Sequence, residues 1–151
     1  MNEIQNMNSS KHIKVESLSL IQNNISRMAG NSALMKGFAA TFLAAIFGMA
    51  VAGDIKWQYL LIATLPIVGF IGLDVYYLQL EKRYRNLYRL ITEGKLHRYN
   101  FELDLNAPVF EKFQDEIKKD TDFFKTLFSV SVWSFYIWFI GVAISLICLI
   151  A

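Results

Sequence analysis

TLFSVSVWSFYIWFIGVAISLICLIA, residues 126–151, contains no charged side chain and no proline. A helix crosses the hydrocarbon core of a bilayer with about 17–25 mainly apolar residues. This run has residues to spare, and the core helix of a soluble protein does not explain it. Trp133, Tyr136 and Trp138 fall early in the run. Amphipathic rings prefer the membrane–water boundary, so the membrane portion is expected to start near Trp133, with 126–131 at the inner surface.

Two further uncharged stretches lie upstream: 37–53 between Lys36 and Asp54, and 57–73 between Lys56 and Asp74. Both are at the short end of membrane-spanning length. The residues between them, Gly53-Asp54-Ile55-Lys56, allow only a tight turn between antiparallel helices. The chain of 151 residues is 54% hydrophobic and 19% charged. The charges are segregated into the first quarter and the middle. A net charge of +2 gives no reason to expect a nucleic-acid partner. Residues 1–16 are polar, so no cleavable signal peptide is expected.

Lysine and arginine set the orientation. Lys11, Lys14, Arg27 and Lys36 precede the first stretch, and Lys82, Arg83, Arg85, Arg89, Lys95 and Arg98 follow the second, whereas the hairpin tip has only Lys56. The N-terminus and the middle segment are therefore expected in the cytoplasm, and the hairpin tip and C-terminus outside.

The flanking segments read as helical extensions. Residues 1–15 are expected to be a flexible lead-in. In 16–36, Leu18, Ile21, Ile25 and Met28 recur at spacings of three and four, the pattern of an amphipathic helix, with Glu16 or Ser17 at its start. It lies either on the inner leaflet or against a partner subunit; its few lysines favour protein contact. The second span, 57–80, is expected to continue to about residue 92 as a basic helix, with Pro66 as a kink site. Asp74, Leu78, Glu81, Arg85 and Tyr88 share one face, and Glu81 and Arg85 are spaced for an ion pair. Glu93-Gly94-Lys95 ends that helix.

Within the cytoplasmic segment 93–125, residues 99–105 alternate apolar and polar, as a short strand or extended segment does. It would pair with a neighbouring subunit's copy or lie against helices. Pro108 opens a further helix, with Phe110, Phe113, Ile117 and Phe124 as its apolar stripe into the third span. Glu111, Asp115, Glu116, Asp120 and Asp122 complement the basic helix. The expected fold is an all-α membrane protein: a single membrane domain over 16–151, with three transmembrane helices (37–53, 57–80 and 126–151), cytoplasmic helical extensions and one short extended or strand segment.

Chemistry-bearing constellations are sparse. His12 and His97 are far apart and lack nearby cysteines, and zinc sites need several ligands at set spacings. Cys148 sits in an apolar run. No phosphate-cradling loop or nucleophile elbow occurs. No catalytic residue, cofactor or metal is expected. Asp74 stands out, because an acid at the membrane boundary is costly unless paired or near water. It is either a proton- or ion-linked switch or a structural salt bridge to Arg27, Lys36 or a neighbour's arginine. Ala40, Ala44, Gly48 and Ala52 repeat every fourth residue and Gly141 and Ser145 echo them; small residues let helices approach closely in lipid.

Leu20-Ile21-Gln22, Ile25-Ser26-Arg27-Met28-Ala29, Asn31-Ser32 and Lys36 before the first span resemble the RipA-like small octameric membrane proteins of bacteria. So do Leu73-Asp74-Val75-Tyr76-Tyr77-Leu78, Glu81-Lys82-Arg83-Tyr84-Arg85 and Leu87-Tyr88 after the second, and the alternation from Phe101 to Leu105. The resemblance covers most of the chain from about His12. It implies an octamer in the bacterial cytoplasmic membrane and no catalytic residues.

Three functions are consistent with these features: a self-assembling structural protein, with the bilayer and its own copies as partners; a channel or transporter formed by the ring; and a membrane anchor for a cytoplasmic partner. The spans are poor in polar side chains, which weighs against a water-filled pore. Candidate assembly or switch residues are Arg27, Asn31, Lys36, Ala40, Ala44, Gly48, Asp74, Glu81 and Arg85. The orientation predicts that, in spheroplasts treated with protease, a C-terminal epitope is digested and an N-terminal one survives; the reverse pattern refutes it.

Overall fold

A computed structural model describes residues 2–53, 57–96 and 104–150, and every regular element among them is helical. Helix α1 spans Asn2–Val51 without interruption. No proline precedes Pro66 and no glycine precedes Gly30, so nothing in the chain halts the helix between the amphipathic segment and the first apolar stretch. At about 1.5 Å per residue α1 is roughly 75 Å long. Residues 2–15, expected as a flexible lead-in, are its first turns. Ser17, expected as a cap, is buried in its interior.

Helix α2, Trp57–Thr92, runs back along α1 and continues through Pro66. One face of α1 makes the contact. Ser17, Ile21, Ser32, Ala39, Leu43, Ile46 and Ala50 are buried at helical spacings that keep them on one side. The amphipathic segment therefore packs on its own chain. Ile21, with Leu18 and Ile25 beside it, joins a core with Leu87, Leu90 and Ile91 of α2 and Leu96, Leu105, Ala107, Phe110 and Ile117 beyond it.

The stop signal at Glu93-Gly94-Lys95 acts as the sequence indicated. Gly94 has φ +72°, a left-handed conformation that glycine adopts without steric cost. The Lys95 amide donates to the Leu90 carbonyl at 3.1 Å and the Gly94 amide to Ile91 at 3.2 Å, a Schellman closure of the helix end. Most of the expected strand, 99–103, lies outside the described residues. Asp104 has no regular structure and Leu105 and Asn106 form a turn, held by the Asn106 amide on Asp104 Oδ1 at 2.9 Å.

The single helix expected from Pro108 into the third span is instead a series of short pieces. They are a 3-10 helix over Pro108–Phe113, α3 over Gln114–Ile117 and α4 over Phe123–Leu127, followed by α5 over Val130–Ile150. The break after α3 is stabilised by α2. Asn86 Nδ2 donates to the carbonyls of Ile117 and Lys119, both at 3.1 Å. Gln79 Nε2 donates to the Thr121 carbonyl at 2.7 Å, and Lys82 Nζ reaches that of Asp120 at 3.5 Å. These side chains satisfy carbonyls that a continuous helix would have satisfied itself. Asp120, at φ +57°, turns the chain. Phe110 and Ile117 are buried as the stripe predicted, but Phe124 is 72% exposed and off it. The expected acid–base pairing is represented by Lys95–Glu116 at 3.4 Å, and Glu93 with Glu116 raises the Lys95 ammonium above its ordinary pKa. Beyond that pair, α2 docks on this segment through the side-chain-to-backbone bonds above and through Lys82 Nζ, 3.3 Å from Thr126 Oγ1.

Among the described side chains, a leucine-rich core lies at the end of the α1–α2 pair near the break after α3, and a separate cluster forms around Ile46 and Ala50 toward the other end. Among the described residues, one helical stretch, Lys14–Val51, is long enough and contains a segment apolar enough to cross a membrane; Val130–Val142 is a shorter apolar helix.

Asn86→Leu removes the two Asn86 hydrogen bonds to the break. It is expected to destabilise the protein by about 1–2 kcal/mol, read as a lower melting temperature in detergent, with faster amide exchange confined to 117–122. Unchanged exchange there would show that the α2 side chains do not hold the break.

Candidate functional site

Asp74 lies one residue past the apolar half of α2 and is fully buried. Two α1 side chains one turn apart reach it. The Ser32 hydroxyl donates to Asp74 Oδ1 at 2.5 Å, and the Lys36 ammonium donates to the same oxygen at 2.7 Å. Lys36 Nζ is also 2.7 Å from Oδ2 and donates to Ser32 Oγ at 3.0 Å. The Lys36 side chain is only 17% exposed. From α5, the Tyr136 hydroxyl faces the same carboxylate. It and Asp74 Oδ2 are buried without a hydrogen bond of regular geometry, so the attraction between Oδ2 and the ammonium is Coulombic. Ala39, Val75 and Val132 are buried against Tyr136, with Phe70, Ile71 and Leu127 partly buried around them.

A carboxylate taken out of water costs several kcal/mol unless opposite charge and hydrogen bonds offset it. Here Lys36 supplies the charge and Ser32 a hydroxyl donor. The clamp sets one carboxylate against one ammonium. It ties α1 to α2 and gives α5 a polar contact. Of the partners that the sequence left open for Asp74, the structure selects Lys36. Arg27 is exposed farther along α1 and acts instead on Tyr84. Burial, and then the Asp104 carboxylate, hold the Tyr84 phenol above its ordinary pKa, while Arg27 opposes them.

Glu81 and Arg85 pair at 2.6 Å on α2, with the Glu81 side chain 13% exposed and that of Arg85 63%. Asn31 and Ala40 are half-buried, and Ala44 and Gly48 are exposed. Nothing lies within 4 Å of where a Cβ on Gly48 would be. The small-residue stripe thus faces away from the Ala39–Leu43–Ile46–Ala50 contact with α2. The structure brings together Lys36 with Asp74 and Glu81 with Arg85. The other candidates remain separate.

Ser32 and Tyr136 are site residues that sequence reading missed. Ser32 carries a weak signal, one turn before Lys36 and in line with Ile21, Ile25 and Met28. Tyr136 carries none, because only the docking of α5 places it there.

An open groove of about 680 Å³ between α1 and α5 is lined by Phe47, Ser134, Ile137, Trp138, Gly141, Val142 and Ser145. Its serines turn back on their own helix, Ser134 to the Val130 carbonyl at 2.6 Å and Ser145 to that of Gly141 at 2.9 Å. Among the described residues no three His, Cys, Asp or Glu side chains are grouped to hold a metal ion. Comparison with protein-family models, curated proteins and solved structures finds no match.

Lys36→Met leaves a buried carboxylate without its counter-charge and is expected to cost about 3–5 kcal/mol. Pairing it with Asp74→Leu is expected to recover much of that loss, in a double-mutant cycle followed by thermal unfolding in detergent. Additive losses would refute the clamp.

Proposed function

We propose that the chain is a three-span integral membrane protein that assembles with copies of itself and serves a structural or scaffolding role, without catalysis. The observation that carries this reading is the surface of the three long helices. Large apolar side chains stand exposed on each: Phe38, Phe47 and Met49 on α1, Leu65, Val68 and Leu73 on α2, and Ile137, Trp138, Ile140 and Ile144 on α5. Water penalises such a belt and lipid does not. Only 22% of the apolar window in α1 is buried within the protein, unlike the core helix of a soluble fold. The 21 residues of α5 reach about 30 Å, the thickness of a bilayer's hydrocarbon core. A removable signal sequence fits α1 poorly, since its loss would strip Asp74 of Lys36 and Ser32.

Self-assembly is supported by the outward face of α1, where Ala44 is exposed and, among the described residues, nothing lies within 4 Å of where a Cβ on Gly48 would be, and by the resemblance to octameric membrane proteins. The charge asymmetry supports a cytoplasmic N-terminus and an outer C-terminus in a bacterial inner membrane.

Mass determination in mild detergent is expected to show a homo-oligomer, and only monomers would refute assembly. Gly48→Leu is expected to weaken association about tenfold, or ~1.4 kcal/mol, while leaving the monomer's unfolding unchanged, because the position is exposed and its Cβ would meet no described atom within 4 Å.

A further inference from the structure

Between the break after α3 and the start of α5, the ordinary arrangement of a surface helix is reversed. Thr126 of α4 is fully buried, whereas Phe124 is 72% exposed, and Phe123 and Phe128 are exposed beside it. The reversal is built in. Lys82 Nζ from α2 lies 3.3 Å from Thr126 Oγ1, and Gln79 holds the Thr121 carbonyl just upstream, so the polar side of α4 is pinned to α2 and its rings are turned outward. Phe123 and Phe124 stack edge to face with centroids 5.7 Å apart, and Phe128 lies 5.7 Å from Trp133. Two residues separate α4 from α5, so these rings continue directly into the exposed apolar surface of Val130, Trp133, Ile137 and Trp138.

We infer that α4, with Phe123, Phe124, Phe128 and Trp133, is an in-plane anchor whose rings lie in the headgroup–acyl boundary of the inner leaflet. This inference rests on the reading of α5 as a membrane span. The occupant is the lipid boundary because the ring surface is continuous with the surface that lipid covers on α5. Short segments of this kind sink about 5–10 Å into that boundary, and aromatic rings are enriched there. The remaining charges suit such a position: Lys125 pairs with Asp120 at 3.5 Å and with Asp122 at 3.6 Å, and all three can stay among the headgroups. The anchor would set the depth of α5 and, through Lys82 and Gln79, the height at which α2 leaves the membrane.

The test uses the full-length chain in phospholipid vesicles with Cys148→Ser as background and single nitroxide labels at Phe124→Cys, Ile137→Cys and Lys118→Cys. Collision with oxygen and with a water-soluble nickel chelate is measured at each. At position 137 oxygen is expected to dominate. At 124 the oxygen-to-nickel ratio should fall between those of 137 and 118, several-fold above 118. A ratio at 124 equal to that at 118 overturns the anchor, and so does shielding from both reagents, which would mean that protein covers the rings. A water-like ratio at 137 overturns the span reading itself, and the anchor with it. If Phe124→Cys does not elute with the unsubstituted protein, Phe128→Cys replaces it with the same criteria.

Discussion

The buried carboxylate of Asp74 sets the terms for the rest of the structure. It lies where α1, α2 and α5 converge, at the end of the apolar half of α2. A charge in that position requires a counter-charge, and Lys36 is the cation that reaches it. Because Lys36 and Ser32 project from adjacent turns of α1, their joint contact fixes both the rotation and the register of α1 on α2. A shift of α1 by one turn would separate the pair and leave two charges out of water. The apolar contacts farther along the hairpin, at Ala39, Leu43, Ile46 and Ala50, impose no such condition, since one aliphatic side chain there packs much like another.

On either side of that level the chain is built to different rules. At the end with the chain break, the protein makes a leucine-rich core that closes around Leu87, Leu90 and Ile117. At the other end the helices touch along single faces and leave large apolar side chains uncovered. A hydrophobic core is worth building only against water. The passage from the leucine-rich core to exposed side chains such as Phe38, Phe47, Leu65 and Val68 coincides with the change of surroundings that the membrane reading supplies, and the Asp74 clamp lies at the change. The reversed face of α4, with threonine inside and phenylalanine outside, lies close to it along the chain.

Polar side chains of α2 brace the segment that returns the chain to α5. Gln79, Lys82 and Asn86 fall on one side of α2 and take up carbonyls over 117–121. The turn at Asp120 is therefore held by a neighbouring helix in addition to the local bonds from the Thr121 amide and hydroxyl to the Lys118 carbonyl, at 3.1 and 2.7 Å. This is also why the run from Pro108 to Phe124, which reads as one helix by its apolar spacing, is broken. The spacing reports a preference for one face but says nothing about donors arriving from elsewhere.

The sequence by itself determined the helical character of the described elements, the extent of α2, the stop at Gly94, the basic and acidic halves of the middle segment, and Asp74 as the group in need of a partner. These are local matters: residue spacing, a glycine where φ must be positive, and the cost of a charge beside an apolar run are all present in a short window. Tertiary structure alone decided that Lys36 and not Arg27 meets Asp74, that Ser32 and Tyr136 share the site, and that α1 packs through Ala39, Leu43, Ile46 and Ala50 while Ala44 and Gly48 face away. In a stretch that is apolar on every side, hydrophobic periodicity cannot distinguish the face that meets another helix from the face that does not. That choice depends on where a distant charge must be satisfied, and the distance is closed only when the helices pack.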